Sequence, residues 1–177
     1  GFKLTMTGKG NLYQRVNPYL VKSFVTSLSI ALVLISILLI GIFRSVKLGA
    51  IALLTNCIPL VFGGAIFYLM GKSIDPGSVL VMSVCLGIAV DDTIHILSNY
   101  NRLRSEGSSA DKSVVEIIAH TSPALIVTTV VLVCGFGTLA LGTFIPNVYF
   151  GIMTAMILSI ALFTDLTFLP ALLTEKD

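Results

Sequence analysis

Three side chains that can exchange protons stand close together in one apolar stretch of the chain. Residues 87–97 read GIAVDDTIHIL and contain Asp91, Asp92 and His95. In a helix, His95 follows Asp91 by four positions and Asp92 by three, so its imidazole can reach either carboxylate. Carboxyl and imidazole groups inside a membrane segment are typical of proton relays. The spacing therefore predicts a proton relay made of Asp91, Asp92 and His95.

The neighbouring residues indicate how this helix packs. Burying two adjacent carboxylates is costly and each repels the other, so we expect the pair to share one proton. A stripe of small and polar residues runs along the same helix at every fourth position: Ser83, Gly87, Asp91, His95 and Asn99. Gly87 predicts a close approach of another helix. We therefore expect the stripe to face the interior of a helix bundle.

Weaker candidates lie on two later segments. Thr128 and Thr129 are possible relay partners through hydrogen bonds to the carboxylates, although a hydroxyl bonded to its own helix is as good an explanation. Asp165 is a third possible partner, for which a structural hydrogen bond is the favoured explanation. Three cysteines without CxxC spacing, Cys57, Cys85 and Cys134, predict neither a metal site nor a disulfide framework. We expect no cofactor beyond the proton gradient.

The composition is that of a membrane protein. Of 177 residues, 55% are hydrophobic and 11% charged, and the mean hydropathy is +0.99. The net charge of +2, with scattered basic residues, argues against a nucleic-acid partner. A membrane core of about 30 Å requires about 20 apolar residues in a helix. Five segments meet this requirement and predict an all-α bundle of five transmembrane helices: 24–43, 48–70, 77–100, 122–141 and 148–169.

The segments between these helices predict the topology. Arg44, Lys47, Arg102, Arg104 and Lys112 fall in alternate loops, with Lys176 after the last helix, whereas the opposite loops hold Lys72 alone. The positive-inside rule then places the N-terminus outside and the C-terminus, residues 174–177, in the cytoplasm. We expect residues 1–23 to form the end of an extracytoplasmic segment, with an interfacial helix from about residue 11. We expect residues 101–120 to form a cytoplasmic loop that contains an interfacial helix capped by Ser109. The first residue is Gly, so we expect a piece of a longer chain.

Several stretches together resemble one transporter superfamily. The chain resembles three helices of the resistance-nodulation-division (RND) superfamily. The first stretch is GIAVDDTIHIL followed by NYNRLRSEG, the second is SPALIVTTVVLVCGFGTLAL, and the third is DLTFLPALLTEKD. The MmpL-like, hopanoid-exporter-like and Patched-like branches are the most similar. The resemblance covers nearly the whole chain and implies the last five helices of one half of a twelve-helix transporter.

That resemblance implies a function and partners. It implies export of lipids or other hydrophobic molecules, driven by the proton-motive force, with Asp91 and Asp92 as the acidic relay. The expected partners are membrane lipid, a lipid-like substrate, the remaining half of the transporter and a homo-oligomer. The expected location is the bacterial inner membrane, and no enzymatic activity is expected.

Three alternatives remain open. Sterol-sensing domains of Patched-like proteins share the five-helix form and a GxxxD motif, here Gly87 to Asp91. A protein-translocation accessory of the same superfamily also uses intramembrane carboxylates. An intramembrane aspartyl protease would pair Asp91 or Asp92 with Asp165, but Val90 stands where such enzymes have glycine.

Overall fold

The computed structural model describes residues 9–71 and 76–174, with the backbone alone for residues 9–18, 20 and 76. This part of the chain forms six α-helices and one 3₁₀ helix, and none of it is a β-strand. Predictions that concern Lys3, Lys72 and Lys176 fall outside the described residues. The helices are α1 (Lys9–Phe43), α2 (Val46–Leu69), α3 (Pro76–Ser105), α4 (Ala110–His120), α5 (Ser122–Gly137), the 3₁₀ helix (Thr138–Leu141) and α6 (Ile145–Leu173).

Five of these segments have the length and composition to cross a membrane. They are Val21–Phe43, Val46–Leu69, Gly77–Ser105, Ser122–Leu141 and Ile145–Leu173. The predicted fold class, an all-α bundle of five membrane-spanning helices, is therefore confirmed. Helix α3 continues beyond residue 100 and α6 begins before residue 148, because polar or proline residues at a helix end remain compatible with helical backbone outside the apolar core.

The N-terminal part of the chain differs from the prediction. Helix α1 runs without a break from Lys9 to Phe43, so residues 9–23 are the start of the first spanning helix and not a separate interfacial helix. Extending a helix that is already formed fixes one residue for each hydrogen bond gained, which costs less than starting a new helix.

Local sequence signals explain where the other helices begin and end. The hydroxyl of Ser45 accepts a hydrogen bond from the backbone N–H of Leu48 and caps α2. Ser109 caps α4 in the same way through Lys112, as the sequence predicted. Gly107, between α3 and α4, has a φ of 90°, a left-handed conformation in which glycine carries no steric cost.

The buried side chains form two apolar clusters, which are joined by α2, α3 and α6. The first cluster contains Ala52, Ile96 and Leu169, and the second contains Leu60, Val90 and Leu158. Each of the three helices thus passes from one cluster to the other. Helix α6 packs against α2, α3 and α5 and forms the centre of the bundle.

Helices α1 and α5 lie at the periphery. In the most apolar stretch of each spanning segment, 6% of the residues are buried in α1 and 11% in the α5 segment. The corresponding share for α3 is 50%. Their exposed side chains are largely apolar, among them Ile30, Leu34, Val127 and Val131. Such surfaces are stable against lipid or against another protein, not against water.

Gly151 allows one of the close contacts in this bundle. A Cβ atom added at Gly151 of α6 would contact the backbone oxygen of Phe136 and would lie 2.8 Å from Cβ of Leu139. Gly135 and Gly137 of α5 have open space at the same position. The small residue that lets α5 approach α6 is therefore on α6.

Candidate functional site

Helix α3 presents polar side chains on two different faces. Asp91 and His95 lie on an exposed face, whereas Asp92 and Thr93 are 8% and 0% exposed. Successive residues of an α-helix point about 100° apart, so adjacent acids necessarily face different surroundings. The two carboxylates that are neighbours in the sequence therefore belong to two different environments.

The exposed face opens into a groove between α3 and α5, which we call the α3–α5 groove. It has a volume of about 860 Å³. Its polar lining consists of Asp91, Asp92, His95, Asn99, His120, Thr121 and Thr128. Atom Nε2 of His95 lies 3.9 Å from Oδ2 of Asp91, with the two side chains 64% and 72% exposed. The spacing of four residues thus brings the imidazole and the first carboxylate together, as predicted.

The predicted burial of the stripe inside the bundle is wrong for the described residues. Ser83, Gly87, Asp91 and His95 are exposed, because the apolar neighbours Cys85, Leu86 and Ala89 occupy the interior face. A Cβ atom added at Gly87 would find no heavy atom within 4 Å. The close helix contact predicted at Gly87 is therefore not formed by this part of the chain.

Asp92 connects the groove with the bundle interior. It lines the α3–α5 groove, yet only 8% of its surface is exposed. The charges of Asp91 and His95 act on its carboxyl group, and Asp92 in turn acts on Asp165 of α6. Asp92 therefore interacts with residues of the groove and with an acid in the bundle interior.

A second polar region lies between the two apolar clusters; we call Asn56, Thr93 and Asp165 the polar layer. The amide nitrogen Nδ2 of Asn56 donates to Oγ1 of Thr93 over 3.1 Å. Thr93 Oγ1 donates to Oδ1 of Asp165 over 3.0 Å. The three residues are at most 3% exposed. These hydrogen bonds join α2, α3 and α6 at the level where apolar packing is interrupted.

The polar layer contains residues that sequence reasoning missed. Neither Thr93 nor Asn56 was among the predicted site residues. A signal was present, because Asn56, Thr93 and Asp165 each interrupt an apolar segment that crosses the membrane, where polar groups require a partner. The sequence does not say, however, which helices are neighbours.

The α5 threonines have different surroundings. The hydroxyl of Thr128 donates to the carbonyl of Leu125 over 3.0 Å, which is the alternative that the sequence left open. Thr129 is 4% exposed, and its hydroxyl has no hydrogen-bond partner among the described residues. Thr128 lines the α3–α5 groove.

Comparison with known proteins agrees with this architecture. The model of the MMPL family matches residues 1–175. The chain belongs to the MMPL family. The MMPL chain is also similar to a protein of Methanocaldococcus jannaschii that is named as a membrane protein, with 27% identity over 177 residues. This alignment covers 100% of the MMPL chain and 46% of the relative, so the chain spans about half the length of the curated relative it matches.

Family membership agrees with the RND-type resemblance of the sequence. The MMPL chain is an integral membrane protein with five spanning helices, in the form of one part of an RND-type transporter. Members of the MMPL family are transporters and not enzymes. Val90, which precedes Asp91, also argues against the aspartyl protease alternative.

Proposed function

We propose that the MMPL chain is part of a transporter that uses the proton-motive force to export lipids or other hydrophobic molecules. Asp91 and Asp92 take up and release the proton, and His95 orients or relays it. The observation that carries this proposal is the arrangement of the α3–α5 groove, where a carboxylate and an imidazole stand 3.9 Å apart on a spanning helix. Moving one charge across the membrane at 100 mV supplies about 2.3 kcal/mol.

The exposed position of Asp91 supports a partner on this face. Ionisable side chains in spanning helices face other protein or a water-filled cavity, because exposure to lipid is costly. The relative of the MMPL chain is more than twice as long. The partner that covers the α3–α5 groove is, in our proposal, the remaining half of the transporter. A homo-oligomer of such transporters remains part of the proposal.

An apolar groove supports a hydrophobic substrate. It lies between α1 and α3 and has a volume of about 570 Å³. Phe24, Leu28 and Leu86 contribute apolar surface, and Ser23, Ser27 and Ser83 contribute hydroxyl groups. A groove of this chemistry suits an acyl chain or a fused-ring molecule. The same groove favours the second candidate function, a sterol-sensing domain that binds a ligand without pumping.

The distribution of basic residues supports the proposed topology. Lys47, Arg104 and Thr174 line one cavity, which brings the start of α2, the end of α3 and the end of α6 to the same end of the bundle. By the positive-inside rule this end is cytoplasmic. The N-terminus then lies outside. The membrane in this proposal is the cytoplasmic membrane of a prokaryote, for example a bacterial inner membrane.

The experiment measures transport by the full-length protein in proteoliposomes. A fluorescent phospholipid and a pH-sensitive dye report efflux and proton flux under an imposed pH gradient. The double variant Asp91→Asn with Asp92→Asn should abolish both signals while the protein remains folded. Asp111→Asn, an exposed acid on α4, is the matched control and should transport as the wild type does. Unchanged efflux in the double variant would reject the relay, and ligand binding without proton flux would favour the sensor.

A further inference from the structure

The polar layer contains two buried oxygen atoms that lack a hydrogen-bond partner among the described residues. They are Oδ1 of Asn56 and Oδ2 of Asp165. The two side chains are 3% and 2% exposed. A buried polar atom without a partner is destabilising, and a buried carboxylate oxygen more so. Two such atoms in one cluster therefore indicate a missing partner.

Both oxygens belong to groups that are hydrogen-bonded to the hydroxyl group of Thr93. Oδ1 of Asn56 shares its carbon with Nδ2, which is 3.1 Å from Oγ1 of Thr93. Oδ2 of Asp165 shares its carbon with Oδ1, which is 3.0 Å from the same hydroxyl oxygen. The Thr93 oxygen has two lone pairs and uses one to accept from Asn56. Oxygen-bearing groups from three helices are thus linked through one hydroxyl group.

Two prolines release main-chain oxygens beside this region. Proline has no N–H, so Pro59 cannot donate to the carbonyl of Thr55, the residue before Asn56. Pro170 likewise cannot donate to the carbonyl of Leu166, the residue after Asp165. Carbonyls freed by interrupted helices are used as ligands for Na⁺ in membrane transporters.

A bound cation would offset the negative charge of this region. Asp165 is a carboxylate in the interior of a membrane bundle, and the charged neighbour that acts on it is Asp92, a second carboxylate. Its one hydrogen-bond donor among the described residues is the neutral hydroxyl of Thr93. Two like charges buried together are unfavourable unless a proton neutralises one of them or a cation lies near them.

We propose that the polar layer binds one sodium ion between α2, α3 and α6. The ligands are Oδ1 of Asn56, Oγ1 of Thr93 and the carboxylate of Asp165, with the carbonyls of Thr55 and Leu166 as further oxygens. Amide, hydroxyl, carboxylate and carbonyl oxygens are donors for hard cations, and softer metals prefer nitrogen or sulfur. One carboxylate in the layer matches a single positive charge.

The proposed sodium ligands are not the side chains of the proposed relay. The layer lies on the interior side of α3, whereas Asp91 and His95 lie in the α3–α5 groove. An ion bound there would hold three helices together in the part of the bundle where apolar packing is interrupted. The proposal goes beyond the proposed function, and its test requires neither a substrate nor transport.

The experiment measures binding of ²²Na⁺ to the purified full-length protein in lipid nanodiscs. The wild type should bind Na⁺ saturably, with displacement by unlabelled NaCl and not by equal KCl or choline chloride. Asp165→Asn should weaken Na⁺ binding at least tenfold, and so should Asn56→Leu. The second variant tests the site if the first does not fold. Thr164→Val is the matched control, because Thr164 is 3% exposed and its hydroxyl donates to Ile160 of its own helix.

Three results would overturn the sodium site. The first is the absence of saturable Na⁺ binding to the wild type, including the case in which the only ion taken up is a proton. The second is equal displacement by K⁺. The third is undiminished Na⁺ binding in folded Asp165→Asn and Asn56→Leu proteins. Loss of transport in Asp91 and Asp92 variants with intact Na⁺ binding would leave this proposal standing, so the two proposals fail separately.

Discussion

Replacement of Thr93 by valine tests whether the polar layer stabilises the bundle. Valine has nearly the shape of threonine but carries a methyl group in place of the hydroxyl. Thr93 is 0% exposed, and its hydroxyl donates to Oδ1 of Asp165 over 3.0 Å while accepting from Asn56 over 3.1 Å. Asn56 keeps its second hydrogen bond, to the carbonyl of Ala52. The main loss therefore falls on Asp165, both of whose oxygens would lack a donor from the described residues.

The size of the effect follows from these bonds. Hydrogen bonds between membrane helices contribute about 0.6 kcal/mol on average and up to about 1.7 kcal/mol. Leaving a buried acceptor without its donor costs about 1–3 kcal/mol. We therefore expect Thr93→Val to lower the free energy of unfolding by about 2 kcal/mol. Thr55→Val is the matched control, because Thr55 is 1% exposed and its hydroxyl donates within its own helix, to Ile51. Its effect should be near zero, since such bonds contribute little.

The assay is equilibrium unfolding of the full-length protein in mixed micelles, in choline chloride, so that a bound sodium ion does not contribute. The unfolding midpoint of Thr93→Val should fall clearly below that of Thr55→Val and of the wild type. The reasoning is refuted if the two threonine variants lose the same free energy, because Thr93 would then contribute no more than a hydroxyl bonded to its own helix.

Two further predictions concern packing and the surface. Gly151→Ala should lower the free energy of unfolding by about 1–3 kcal/mol, because the new methyl group would meet the backbone of Phe136. Gly135→Ala is the control, because a methyl group there would enter open space. It should be neutral or slightly stabilising in the same unfolding assay. Arg102→Ala should change the free energy of unfolding by less than about 0.5 kcal/mol, because its ion pair with Glu106, 3.0 Å long, is 58% and 54% exposed; a loss above 1 kcal/mol would contradict this.

Much of the fold could be predicted because the membrane leaves few choices. Within lipid every backbone N–H and C=O must be paired inside the segment, so a long apolar run is a helix. The five spans follow directly from this rule. The unbroken α1 helix could not be predicted in the same way, since residues 9–23 are polar enough to suit an interfacial helix as well as the start of a span.

The candidate site was predictable only in part. The helical repeat correctly brings Asp91 and His95 together, because their spacing is a property of one helix. Which face of α3 turns inward depends on neighbouring helices, and here the apolar side chains of Cys85, Leu86 and Ala89 decide it. The positions of the polar residues alone therefore predicted the wrong face of α3 as the one that turns toward the bundle interior.

The two faces of α3 explain why adjacent acids need not share one role. Asp91 lies on a surface that this chain leaves open, so its charge needs a partner from outside the described residues. Asp92 is almost buried and adjoins both the α3–α5 groove and the polar layer. Any rotation of α3 about its axis would change the surroundings of both carboxylates at once, because they are fixed about 100° apart. In the proposed relay, such a rotation would link the protonation of Asp92 to the contacts among α2, α3 and α6.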